Sequence, residues 1–203
     1  MHRLTRTSYH HGALREELLR ASLELIETEG VGAVSLRRVA RDAGVSPGAP
    51  YHHFRDRASL LAALSAQGFT LLAEELAEAR AAADSPIRAL GALVRAYVDF
   101  ARRRPAYFRL MFRPELSRPP KHPDIEAGAD AADACLEATI TDCVRAGLFP
   151  VERVEAVAVT VWSLAHGLAA LWVDGHLQHH GKGLDALTEQ ATTLLESGLV
   201  DQR

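Results

Sequence analysis

Two cysteines in 203 residues exclude a disulfide-stapled scaffold, and Cys135 and Cys143 are spaced too widely for a paired metal motif. They read as small, reduced helix-packing residues, which fits a cytoplasmic protein. No apolar run approaches the ~20 residues needed to cross a bilayer. The opening MHRLTRTSYHHG has no apolar core of a secretory signal, so no membrane or export role is expected. Aromatic residues supply only 6% of the chain, and no alternating strand pattern, internal repeat or low-complexity tract occurs. No glycine-rich phosphate loop follows a strand and no serine sits in a nucleophile elbow. Close Asp/Glu pairs lie on exposed helix faces. The sequence therefore offers no catalytic residue, no metal site and no cofactor, and an enzyme is not expected.

What is present favours helices. Apolar residues make up 48% of the chain, rich in alanine and leucine, which is ample for a buried all-α core. The net charge of −3 would not by itself suggest a nucleic-acid partner, but its distribution is uneven. Residues 1–57 hold nine arginines against seven acids, a net +2, whereas residues 58–203 hold fourteen basic residues against nineteen acids, a net −5. A mildly basic head on an acidic body suits phosphate contact at one end.

Leu14, Leu18, Leu19, Ala21, Leu25 and Ile26 recur at helical spacing and predict a first helix from about His11 to Glu29, stopped by Gly30. Asp56 is placed to cap a long fourth helix carrying Leu60, Leu61, Leu64, Leu71, Leu72 and Leu76, which leaves the head without a loop. Ser85-Pro86 opens a fifth helix to about Arg103, and Arg104-Pro105 breaks it before a short sixth over Ala106–Phe112. Arg113–Asp124, with four of the nine prolines, is expected to be loop. A seventh helix from about Asp124 to Gly147, an apolar eighth from Glu152 to about Asp174 and a ninth over Leu184–Leu199 complete roughly nine helices.

Residues 35–57, SLRRVARDAGVSPGAPYHHFRDR, account for the second and third helices and carry the most information. Ser35 can cap one helix, with Leu36, Val39, Ala40 and Ala43 as its apolar stripe. Gly44 takes the chain round in a left-handed conformation that costs glycine little. Ser46 can cap the next helix, with Pro47 where its missing N–H goes unused. Ala40 is small enough for that helix to cross close above it. This is the plan of a helix-turn-helix, whose second helix enters the major groove of double-stranded DNA. Pro50 cannot donate to Ser46 and predicts a recognition helix that is short and opened at its start.

The stretch YHHGALREELLRASLELIETEG, the turn segment and PYHHFRDRASLLAAL together resemble the TetR family of transcriptional regulators over residues 9–69. Trp162-Ser163-Leu164-Ala165-His166-Gly167, with the opening Tyr9-His10-His11-Gly12, is similar to the subgroup with a tryptophan–histidine–glycine C-terminal signature. The resemblance implies a DNA-binding head, residues 1–57, and a helical ligand-binding and dimerisation body, residues 58–203. It places Arg37 at a base, a role its forked guanidinium suits. It places Pro47, Gly48 and Ala49 at the start of the recognition helix, Tyr51 at a phosphate and His52 facing DNA. Arg57 stands where the family has a lysine and offers a fork to phosphate; Ser35 and Ser46 can each donate a hydroxyl to phosphate oxygen. Outside the motif Arg37 reads as a solvated residue and Tyr51 as packing on the fourth helix, while Arg38 and Arg41 read either way. His53 and Phe54 read as packing residues.

The resemblance also implies a cavity for a small, largely apolar effector among the fourth to eighth helices, with Phe69, Tyr97, Phe100, Phe108, Met111, Trp162 and His166 as candidate lining residues. Each reads alternatively as core, and His166 either bonds a core carbonyl or orients a ligand. The expected function is a homodimeric repressor released by ligand from a palindromic operator. Its eighth and ninth helices would pair through Val157, Val161, Leu164, Leu168, Leu187, Ala191, Leu194 and Leu195. The alternatives are a ligand-binding or enzymatic body with a vestigial head, or a metal sensor using His176, His179 and His180, which read more simply as solvated.

Overall fold

The computed structural model describes residues 7–117, 123–179 and 181–200, with the backbone alone described for residues 7–12, 117, 124 and 200. Among these residues the chain forms α1 (Thr7–Glu29), α2 (Leu36–Asp42), α3 (Arg57–Ala81), α4 (Pro86–Arg103), α5 (Pro105–Met111), α6 (Pro114–Ser117), α7 (Pro123–Arg145), α8 (Val154–Val173) and α9 (Leu184–Val200). Short 3-10 turns cover Val31–Ala33, Ala49–His52 and Val151–Arg153.

The helix boundaries follow local chemistry. Gly30 ends α1 at φ +83° and Gly44 turns the chain at φ +68°, a left-handed backbone that a side chain would strain. The Ser35 hydroxyl accepts the Arg38 N–H at 3.2 Å, capping α2. Asp56 and Ser59 exchange bonds in a reciprocal capping box that starts α3. Two expectations need correction. The helix expected from Ser46 is a single 3-10 turn, and Ser46 contributes only its carbonyl, which accepts Ala49 N–H at 3.0 Å. Pro47 and Pro50 have no N–H to continue an α-helical ladder, so i→i−3 bonds replace it. The expected loop after Arg113 begins instead with α6, because Pro114 fits the first position of a helix and Glu115 favours its first turn.

In the head, Leu18, Leu25, Val39, Phe54, Leu60 and Leu64 form one buried cluster. Fully burying each such side chain stabilises the fold by roughly 1.5–3 kcal/mol. The helix α3 then continues into the body, where Phe69, Leu72 and Leu76 face inward. It packs along α7, with α4 lying against α3, α7, α8 and α9. Gly128 of α7 permits this close approach, since a Cβ there would lie 2.8 Å from Phe69 Cβ.

By length and composition, Arg57–Ala81 and Val151–Val173 are apolar enough to cross a membrane. This corrects the expectation that no run approaches that size, because alanine, glycine and hydroxyl residues extend both stretches. Half of the first is buried in the fold, against 22% of the second. On α8 a single stripe of Val157, Val161, Ala165 and Ala169 is buried. Val157 and Val161 therefore belong to this chain's own core, not to a pairing face as expected. Val159, Trp162 and Leu171 of α8, and Leu194 of α9, are exposed.

Candidate functional site

Ser35, Arg37, Ser46, Pro47, Gly48, Tyr51 and His52 are all exposed, and Ala49 is half-buried. Pro50 is buried and anchors the 3-10 turn against the head. The turn is thus short and bare, ending in Tyr51, which is 54% exposed. The arginines around it differ in how far they are committed. Arg38 binds Glu29 at 2.6 Å and Asp42 at 2.8 Å, Arg55 pairs with Asp56 at 3.1 Å, and Arg15 lies over the Phe54 ring. The Arg41 contact with Asp42 is longer, 3.4 Å. Arg37 has no such partner among the described residues, so its guanidinium remains available for a base edge or a phosphate.

Arg57 is more committed than the sequence suggested. Its Nε donates to Val34 O and its Nη2 to Val31 O, both at 2.8 Å. These bonds tether the turn after α1 to the start of α3, so the expected phosphate fork is first a tie inside the head. The Glu115 carboxyl is held below the usual carboxylate range by a backbone hydrogen bond and Arg113, with a smaller pull from Arg57. That pull brings α6 of the body within electrostatic reach of the head, and α5 packs on α1.

In the body a cavity of about 700 Å³ lies among α3, α4, α7 and α8, with Phe112 also in its wall. Phe69, Tyr97, Trp162 and His166 all line it, as expected. Tyr97 Oη and His166 Nδ1 are hydrogen-bonded at 2.8 Å. Trp162 stacks on the His166 ring with an interplanar angle of 22°, and Phe112 meets that ring edge-on at 4.6 Å. Burial pushes the His166 pKa down, and burial reinforced by the charge of Asp133 pushes the Tyr97 phenol up. The pair is therefore neutral whichever group donates.

Three expected lining residues sit elsewhere. Phe100 is wholly buried with the Arg104 guanidinium over its ring. Met111 is wholly buried and packs into the space left by Gly68. Phe108 faces a smaller cavity of about 360 Å³ on the far side of His166. Phe108 and Met111 share a reason: both lie on α5, where Met111 meets Gly68 of α3 and Phe108 meets the His166 ring of α8, and composition does not say which face each takes. A larger groove of about 1210 Å³ along α3 and α7 is alanine-lined and holds none of the expected ligand residues. Its Arg80 and Asp142 pair with each other at 2.6 Å.

His176 and His179 are exposed in the turn after α8, and no three His, Cys, Asp or Glu side chains converge on a metal site among the described residues. His180 and the side chains of Tyr9, His10 and His11 lie outside those residues.

Residues 18–64 match the bacterial regulatory proteins of the tetR family. Residues 90–195, more than half of the chain, match the tetracyclin repressor-like C-terminal domain. The chain belongs to the TetR family of transcriptional regulators. That family is regulatory, not enzymatic, and its N-terminal domain binds DNA. This TetR-family chain is 38% identical over 87 residues to the HTH-type transcriptional regulator BetI of Pseudomonas paraeruginosa, covering 42% of this chain and 44% of the relative. The chain spans about half the length of the curated relatives it matches. A protein with unknown function from Rhodococcus sp. RHA1 is 32% identical over 95% of this chain and 98% of its own, with a TM-score of 0.83. The regulator FadR from Bacillus subtilis, solved with stearoyl-CoA, shares the fold at a TM-score of 0.75 and 17% identity, over 90% of this chain and 98% of its own.

The sequence reading did not include Asp133 and Glu137 of α7, both exposed residues that border the cavity among α3, α4, α7 and α8. Their i, i+4 spacing puts both on one helical face, a visible signal hidden among the other acids of that helix.

Proposed function

We propose that this TetR-family protein is a homodimeric repressor that binds a roughly palindromic operator in the cytoplasm and is released by a small, largely apolar ligand. The observation that carries the reading is the uncommitted Arg37 guanidinium beside a bare turn ending in exposed Tyr51 and His52. In this reading residues 1–57 contact DNA and residues 58–203 bind ligand and dimerise. Arg37 reads a base, Tyr51 and His52 contact the backbone, and Ser35 and Ser46 add hydroxyl contacts. Pro47, Gly48 and Ala49 supply close apolar approach, and Arg57 adds charge while tethering the head. The Trp162–His166 stack followed by Gly167 supports membership of the tryptophan–histidine–glycine subgroup.

The exposed apolar residues Leu171 and Leu194, with the partly exposed Leu164, Leu168, Leu187, Ala191 and Leu195, supply the pairing face on α8 and α9. Such a two-fold pairing sets two recognition turns about 34 Å apart, one helical turn of DNA. The helix α3 links the two functions, since Phe69 lines the cavity while Arg57 at its start holds the head. A ligand shifts the protein off DNA only by binding the released form more tightly. A coupling of ~1–3 kcal/mol changes operator affinity by roughly 5–150-fold.

The test begins with selection of bound duplexes from a random pool. Arg37→Ala then weakens the selected operator by about 1–3 kcal/mol and random DNA much less. Equal losses on both remove its base-reading role.

A further inference from the structure

If the aromatic cavity is the effector site, as proposed above, we infer that its ligand is an uncharged carbonyl compound on an apolar body. The Nε2–H of His166 holds the carbonyl oxygen, and Tyr97 is the positioning residue that makes Nε2 the donor. Tyr97 Oη and His166 Nδ1 share one hydrogen bond of 2.8 Å, and neither side chain has another among the described residues. A neutral imidazole carries one N–H and one bare nitrogen, so the direction of this bond fixes the tautomer. If Nδ1–H donated, the Tyr97 O–H would need an acceptor of its own. The described residues supply none to this side chain, which is only 6% exposed. Donation by the phenol leaves no such remainder. It is also the stronger pairing, because the imidazole lone pair is basic whereas a phenol oxygen shares its electrons with the ring. The bare nitrogen is therefore Nδ1, and Nε2 carries the hydrogen.

Nε2 has no protein partner among the described residues, and it is not sealed from solvent. It opens on the space bordered by the half-buried ring, which stands in the walls of both the larger and the smaller cavity. Trp162 stacked on the ring and Phe112 edge-on to it hold its orientation. A donor presented in an apolar wall favours a ligand that carries an acceptor, because a hydrocarbon laid over it leaves the N–H unpaired. Phe69, Leu72, Leu93, Val94 and Val161 supply the surface for the ligand's apolar body. A carboxylate also accepts, but its burial needs a cation. Among the described residues no lysine or arginine lines the larger cavity, and burial keeps His166 neutral. In the smaller cavity Arg109 donates to Val173 O at 2.9 Å and Arg113 binds Glu115. An uncharged carbonyl meets the donor and brings no hydrogen that needs an acceptor in turn.

The test uses the full chain labelled with nitrogen-15. Long-range proton–nitrogen correlation spectra of the histidine rings read the tautomer directly, with the His166 signals identified by their loss in His166→Phe. The Nε2–H form is expected at neutral pH without ligand, and Tyr97→Phe should populate both forms. Isothermal titration calorimetry then compares the ketone benzylacetone with butylbenzene, which lacks the acceptor, and with the carboxylate hydrocinnamate. His166→Phe should weaken benzylacetone by roughly tenfold or more while butylbenzene binding holds or tightens. Tyr97→Phe should weaken benzylacetone by a smaller factor, and hydrocinnamate should bind the wild type more weakly than the ketone. An Nδ1–H tautomer, equal losses of ketone and hydrocarbon in His166→Phe, or tighter binding of the carboxylate overturns the carbonyl assignment and leaves the cavity reading standing. Failure of all three probes to bind the wild type removes both.

Discussion

Tyr97 and His166 are joined by a 2.8 Å hydrogen bond between phenol oxygen and Nδ1 that ties α4 to α8 across the cavity. Burial holds His166 below its ordinary pKa of 6.5, so the unfolded chain takes up the proton more readily than the folded one. The resulting stability is complete above about 6.5 and declines as pH falls below that value toward the folded pKa. Urea midpoints measured from pH 7.5 to 5.5 should fall with pH, and the slope should shrink in His166→Gln. An identical slope in the variant would detach the histidine from this linkage.

Arg57 bridges two backbone carbonyls at 2.8 Å each, a geometry that a guanidinium can span and an ammonium cannot. Arg57→Lys keeps the charge but loses at least one bond, and should lower stability by about 1–2 kcal/mol. Chemical denaturation checks this. Unchanged stability with weakened DNA binding would make phosphate contact the residue's main role.

Much of the head was legible because its signals are local. Gly30, Gly44, Ser35 and Asp56 each act within a few residues, and Pro50 shortens the recognition turn for the reason visible in its own chemistry. The tether made by Arg57 was not legible, since its acceptors lie 23 and 26 residues upstream and depend on how α1 meets α3. The eighth helix is apolar on most sides, so its periodicity could not tell Val157 and Val161, which face inward, from Leu171, which faces out. The same limit made Phe100 and Met111 candidates for the cavity wall, whereas both are wholly buried in the core and do not line it. Phe69, Tyr97, Trp162 and His166 line one cavity because α3, α4 and α8 converge on it.

Gly128 supports the α3–α7 contact by having no side chain. A Cβ there meets Phe69 Cβ at 2.8 Å, and that atom, fixed to the backbone, cannot swing away. Gly128→Ala should therefore destabilise by about 1–3 kcal/mol through overpacking, offset by up to ~1 kcal/mol of helix propensity. Thermal unfolding measures the net. A rise in midpoint would mean that α7 has room to retreat.

Leu171 is 44% exposed and Leu194 75% exposed, and both belong to the proposed pairing face. Replacing them together, Leu171→Glu with Leu194→Glu, puts charge into that contact and should turn a dimer into a helical monomer. Sedimentation at micromolar concentration reports the change. A wild-type monomer, or a double variant that remains dimeric, would place the interface elsewhere.

The most direct test is hydroxyl-radical footprinting of the ligand-free protein on a duplex selected from a random pool. Two protected patches about 34 Å apart along one face of the DNA are expected, both fading on addition of an effector. A duplex uniformly cut at low salt, or a single patch without a symmetric mate, would contradict paired recognition turns.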